Sequence, residues 1–268
     1  MILNRRSVSA LLRFFFGPVG MAWLLTQSLL ATPGEVRIWT INGVKRQALV
    51  FDSQPESRAP RPVIFVFHGH GGNMEQASHS FHLHELWPEA IVVYPQGVPT
   101  SGRIVDREGK QNGWQFAAGE NRDRDLKFFD AMTEALGRGP DGSRKVFVTG
   151  HSNGGAFVLL LWLERSKTIT GFAASAAVIA PPYTRLPVAN FLLISGEQDE
   201  LVKFEWQQAM FEAFCRKFRT HASKDQNGLM TAPVGEHARL AFYQHAGTHK
   251  LPDEAPALIV KFFQEANR

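Results

Sequence analysis

The sequence predicts an α/β fold, a mostly parallel central sheet with helices on both faces, and three observations lead there. Four short runs are apolar without alternation: Val63 to Phe67, Ala90 to Tyr94, Val146 to Thr149 and Phe191 to Ile194. Strands covered on both faces read this way, and parallel sheet is the economical explanation. Between them lie segments of helical period, with Leu126, Phe129, Met132, Thr133 and Leu136 on one face and a similar pattern over Phe204 to Phe218. The length, 268 residues of which 44% are apolar, suits one large core rather than two full domains.

In chain order, Arg5, Arg6 and Arg13 precede an uncharged run, rich in Phe, Leu and Trp, from Phe14 to Ala31. This is the composition of a targeting segment. Residues 1–31 are expected to be a cleaved signal peptide ending near Ala31 or, since the run reaches the lower limit for a spanning helix, an N-terminal anchor. Either implies a secreted, periplasmic or membrane-anchored protein. Ser7-Val8-Ser9 after the arginine pair fits a twin-arginine signal poorly. Residues 32–268 form the expected catalytic domain. It opens with a hairpin, Val36 to Thr40 and Gln47 to Phe51, around Ile41-Asn42-Gly43. A proline-rich link over Pro55 to Pro62 leads into the sheet. The long polar insertion Val98 to Asn121 leaves a carboxyl end of the sheet, where such folds bind ligands. Ala238 to Gln244 supplies a last strand and Ala255 to Phe263 a last helix.

Charge narrows the partners. The chain carries 29 basic and 25 acidic residues, and without the three arginines of the leader the balance is 26 to 25. A body this close to neutral does not support nucleic acid as a partner, nor a membrane beyond the N-terminal anchor. Cys215 lies among Phe211, Phe214 and Phe218 at helical spacing and reads as a small core residue.

The chemistry is concentrated in Gly150-His151-Ser152-Asn153-Gly154-Gly155, set between the strand at Val146 and the apolar Ala156 to Leu161. A serine framed by glycines on a strand-to-helix turn is a nucleophile elbow. The turn brings backbone so close that Gly150 and Gly154 must be small. A serine needs a base, and the base needs an acid to hold its tautomer. Downstream, Ser195-Gly196-Glu197-Gln198-Asp199-Glu200 offers acids at a strand's end; Asp199 is the candidate, with Glu197 and Glu200 as alternatives. The candidate base is His249, in the loop after the last strand, with His245 as the alternative. His68-Gly69-His70-Gly71-Gly72 follows the first long apolar run and supplies an oxyanion hole from the backbone N–H of His70 and that of Asn153. Trp114, within the insertion, is either an aromatic substrate platform or a packed loop residue. The histidines His68, His70, His79, His82 and His84 lack the spacing and the cysteines of a metal site, so no metal or other cofactor is expected.

With His68-Gly69-His70-Gly71-Gly72-Asn73, Tyr94-Pro95-Gln96-Gly97, Asn112-Gly113-Trp114-Gln115 and the elbow, the body from about residue 35 onward resembles the polyhydroxybutyrate depolymerase and feruloyl esterase-like branch of the α/β-hydrolase superfamily. The resemblance implies an exported serine esterase with the triad Ser152, Asp199 and His249, acting on hydroxyalkanoate, feruloyl or acetyl esters. It departs from that branch in two places. His70 stands where many members have a cysteine, and Lys250-Leu251-Pro252 follows the late histidine in place of Trp-Pro. The segment between Ile179 and Phe191 is too short for a helical cap, which implies an open cleft able to take a polymeric ester. A serine peptidase of the same fold and a catalytically silent binding protein are the competing readings.

Overall fold

The computed structural model describes residues 33–57, 59–137, 144–181, 183–226 and 228–268; the leader expected over residues 1–31 lies outside them. The elements in chain order are β1 (Glu35–Ile41), β2 (Val44–Phe51), β3 (Val63–Phe67), α1 (Met74–Phe81), α2 (Leu83–Leu86), β4 (Ile91–Pro95), β5 (Val98–Pro99) and β6 (Asn112–Gly113). Then follow α3 (Arg124–Met132), β7 (Val146–His151), α4 (Asn153–Arg165), β8 (Gly171–Ser175), β9 (Asn190–Gly196) and α5 (Phe204–Lys217). β10 (Ser223–Lys224), β11 (Met230–Val234), β12 (Ala238–His245) and α6 (Ala255–Ala266) complete the chain.

One sheet holds ten strands in the order β1-β2-β4-β3-β7-β8-β9-β12-β11-β10. Its middle, from β4 to β12, is parallel throughout, and antiparallel strands flank it at both edges. The non-alternating runs are legible here as two-faced burial. In β3, Val63, Phe65 and Phe67 enter the core formed with α3, α4 and α5, while Ile64 and Val66 enter the core formed with α1 and α6. The hairpin between β1 and β2 closes through Asn42 and Gly43, at φ 49° and 79°. Positive φ at both positions is what a two-residue turn matched to strand twist requires.

Five strands were not read from the sequence: the two-residue β5, β6 and β10, and the longer β8 and β11. β8 is Gly-Phe-Ala-Ala-Ser, whose small residues give little hydrophobic signal, and β11 carries Pro233 near the sheet's antiparallel edge. The helix expected through Leu136 closes at Met132, and Thr133–Gly137 continues as a wider turn. Cys215 is only half-buried, packing on the margin of the core. Among the described residues no helix is long and apolar enough to cross a membrane.

Candidate active site

The site begins at the bend between β7 and α4. Ser152 sits there at φ 54°, ψ −119°, a conformation that costs a non-glycine residue about 1–3 kcal/mol and persists only where its surroundings enforce it. The Ser152 N–H donates to Ser175 O at 2.8 Å, and Ser152 O accepts from the Ala156 N–H at 2.9 Å. A Cβ at Gly150 would lie 2.6 Å from the Gly154 backbone, and one at Gly154 would overlap the Phe67 carbonyl. α4 is buried from Asn153 to Trp162, so the elbow is fixed to a helix enclosed on all sides.

Ser152 does not cap its own helix; its Oγ lies 2.8 Å from His249 Nε2. His249 Nδ1 in turn lies 2.9 Å from Asp199 Oδ2. With the ring proton on Nδ1 donating to the carboxylate, Nε2 is left to accept the serine hydroxyl proton. Asp199 is buried, whereas the alternatives Glu197 and Glu200 are exposed. The other carboxylate oxygen, Oδ1, accepts the Leu201 and Val202 N–H groups at 3.0 and 2.9 Å. The acid and base loops are joined directly, since the Glu197 N–H donates to His245 O and the Gln198 N–H to Gly247 O. His245 itself turns to its own loop, where Nδ1 accepts the Gly247 N–H.

The loop after β3 runs beside the serine: a Cβ at Gly69 would stand 3.6 Å from Ser152 Cβ. Among the described residues, neither the His70 nor the Asn153 backbone N–H has a hydrogen-bond partner. Asn153 also opens α4, so its N–H lies at the positive end of the helix dipole. The Asn153 side chain has a separate task. Its Oδ1 accepts the Trp114 N–H at 2.7 Å and its Nδ2 donates to Trp114 O at 3.0 Å, tying the insertion to the elbow.

Trp114, the candidate platform, does not line the cleft. It is fully buried, with its ring stacked on Phe157 and edge-on to Phe67, and its Nε1 donates to His68 O at 2.9 Å. The insertion is drawn inward because Gln115 and Asp125 bond reciprocally and Asp125 pairs with the buried Arg46. The aromatic side chains that do line the cleft are Phe116, Tyr183 and Trp206, of which Trp206 on α5 is half exposed. Another residue the sequence did not reveal is Gln207, fully buried beneath the acid. Its Nε2 donates to Asp199 Oδ2 and Val202 O, and its Oε1 accepts from Ser195 Oγ.

Two hollows open at the loop after β3, one of them on the serine. One, of about 520 Å³, holds Ser152, Asn153, His70 and His249 with apolar walls from Ile104-Val105, Val178-Ile179 and Leu201. The other, of about 700 Å³, lies between the loop after β3, α1 and the segment after His249, and is lined by His79, His82, Lys250 and Asp253.

Two further histidines support the loops while remaining neutral. Burial pushes His68 down to about 4; its Nδ1 donates to Gly69 O and its Nε2 accepts the Gly97 N–H. Burial, followed by the charge of the adjacent His249, pushes His151 down to about 4 as well. Unfolded histidine takes up its proton near 6.5. Between pH 6.5 and about 4 the unfolded chain therefore binds more protons than the folded one, so stability falls as the pH falls through that window. Each histidine contributes on the order of a few kcal/mol to this loss. Urea unfolding between pH 7.5 and 4 checks it; stability that stays flat across the window contradicts neutral burial.

Parallel strands ordered β4-β3-β7-β8-β9-β12, with a serine at the β7–α4 bend and acid and histidine in the loops after β9 and β12, define the α/β-hydrolase fold. The comparisons with solved structures agree on the fold. The chain is similar to an acetyl xylan esterase from Aspergillus awamori (TM-score 0.62, 14% identity, covering 86% of this chain and 99% of that one). It is similar also to esterase PE8 (0.53, 17%, 88% and 100%) and to Arabidopsis thaliana SOBER1 (0.55, 17%, 78% and 100%). No protein-family model and no curated protein sequence matches the chain.

Proposed function

We propose that the protein is an exported serine esterase that cleaves carboxylic esters through an acyl-enzyme. The observation that carries this reading is the unbroken chain Ser152 Oγ, His249, Asp199, at 2.8 and 2.9 Å, beside two unengaged N–H groups. His249 takes the Ser152 proton as Oγ attacks the ester carbonyl, and Asp199 stabilises the imidazolium. The developing oxyanion is met by the N–H groups of His70 and Asn153. Collapse expels the alcohol, which takes its proton from His249. A water activated by the same histidine then releases the acid and restores Ser152.

The apolar walls of the smaller hollow favour an apolar acyl group, and the esterase reading is supported by solved structures of the same fold that are named esterases. A polyhydroxyalkanoate, feruloyl or acetyl ester is the finer reading, supported by the motifs of the sequence. Release of p-nitrophenol from p-nitrophenyl butyrate, with the matching p-nitroanilide as amide control, tests the class. Ester cleavage far above amide cleavage is expected; amide cleavage alone would make the protein a peptidase, and neither would make it a silent scaffold. Hydroxybutyrate oligomers, feruloyl esters and acetylated xylan then separate the substrates. Export rests on the composition of residues 1–31, and the mature N-terminus read by mass spectrometry decides it.

The acid is tested by substitution. Asp199→Asn leaves the shape intact but lets the amide hold the histidine in the wrong tautomer, lowering kcat by about 10⁴-fold. Glu197→Gln, on an exposed side chain, changes it by less than about threefold. The reverse ranking would move the acid to Glu197.

A further inference from the structure

We infer that Asp106 is a positioning residue: through the His70 ring it fixes both the oxyanion donor and the apolar wall Ile104-Val105, making the 101–111 loop the element that selects the acyl group. The inference rests on the esterase reading above and adds to it a specificity element. His70 contributes its backbone N–H to the oxyanion position, while its side chain points away into the insertion. There Nε2 meets Asp106 Oδ2 at 3.0 Å, with both side chains at most one-tenth exposed. Nδ1 has no hydrogen-bond partner among the described residues. Nε2 therefore carries a proton, which the carboxylate accepts.

Asp106 is also the organiser of its own loop. Its carboxylate accepts the Lys110 and Gln111 N–H groups at 3.1 and 2.8 Å, and its carbonyl accepts those of Gly102 and Gly109, both at 3.0 Å. Ser101 Oγ closes the base of the loop on Arg107 O. The two loops are also tied by backbone, since the Gly71 N–H donates to Asn112 O at 2.7 Å. His70 thus plugs the insertion: added Cβ atoms at Gly102 and Gly113 would stand 3.3 and 2.7 Å from its ring.

The loop carries an unusual tip. Ile104 and Val105, directly before Asp106, are 55% and 47% exposed and line the mouth of the serine's cleft, as do Leu201 at 40% and Trp206 at 50%. Large exposed apolar side chains that converge on one cleft mark a binding surface rather than scattered exposure. One carboxylate therefore sets two things together: the wall that meets the acyl chain and the donor that meets its carbonyl oxygen. A displacement of about 1 Å in such a donor costs on the order of 10²-fold.

The test uses the full chain and three esters, p-nitrophenyl acetate, butyrate and octanoate, with an aryl trifluoromethyl ketone as transition-state analogue. For Asp106→Ala, kcat is expected to fall by about 10- to 100-fold on every ester. KM rises more for octanoate and butyrate than for acetate, and the ketone's Ki rises in step with the loss in kcat/KM. Asp106→Asn, which keeps an oxygen for the ring N–H, recovers most of kcat. Ile104→Ser, away from the hydrogen bonds, raises KM for octanoate more than for acetate and decides the wall's role even if Asp106→Ala fails to fold. An Asp106→Ala protein with a lower Tm but unchanged kcat or unchanged acyl profile overturns the inference and leaves the esterase reading standing. A wild-type protein that hydrolyses none of the three esters overturns that reading itself.

Discussion

Ser152→Ala is expected to lower ester hydrolysis by about 10⁴-fold or more while leaving the fold intact. The size follows from what the hydroxyl does: among the described residues, the hydrogen-bond partner of His249 Nε2 is Ser152 Oγ, at 2.8 Å. In the proposed mechanism the activity that remains would come from the oxyanion donors and from binding, because triad members act as a unit and the loss of one forfeits most of the chemistry. Stability should move by no more than about 1 kcal/mol, since the backbone at this bend is held by Ser175 O and by glycine packing rather than by the hydroxyl. Steady-state kinetics on p-nitrophenyl butyrate and thermal unfolding measure the two effects separately. Full activity in the variant would remove Ser152 from the reaction.

Trp114→Ala is the substitution with the largest expected effect on stability, about 3–5 kcal/mol, which for a chain of this size lowers Tm by roughly 10 °C or more. The indole is fully buried, fills the space between Phe67 and Phe157, and gives its N–H to His68 O. Removing it leaves a cavity behind the oxyanion loop and an unpaired carbonyl. Trp114→Phe keeps an aromatic ring on Phe157 and loses chiefly the hydrogen bond, at about 1–2 kcal/mol. A platform residue would behave in the opposite way, with KM rising and Tm unmoved. Thermal unfolding beside KM for aryl and alkyl esters separates the two roles.

Trp114 also shows what the sequence leaves open. A tryptophan among Gly, Arg and Gln reads either as a platform or as a packed loop residue, and what draws Gly113 to Gln115 inward is the side chain of Asn153, 39 residues on, together with that of Asp125. The strands whose runs are apolar and unbroken were legible because burial on both faces leaves a local signature. β8 was not legible, since it is surrounded by other strands and needs only small residues. The elbow, the acid loop and the late histidine could be picked out because each sits at a strand's carboxyl end in a fixed chain order. Gln207 and Asp106 could not, because a glutamine in a helix and an aspartate in a polar loop become distinctive only when the tertiary structure sets them against Asp199 and His70.

The central claim is that Ser152 is an activated nucleophile. Treating the native protein with a fluorophosphonate and sequencing its peptides by mass spectrometry tests this most directly. The expected result is one stoichiometric phosphonyl adduct, on Ser152, formed in the native protein and lost on prior denaturation or in His249→Ala. An ester-hydrolysing protein whose Ser152 stays unmodified, or whose adduct forms on another residue, would contradict it.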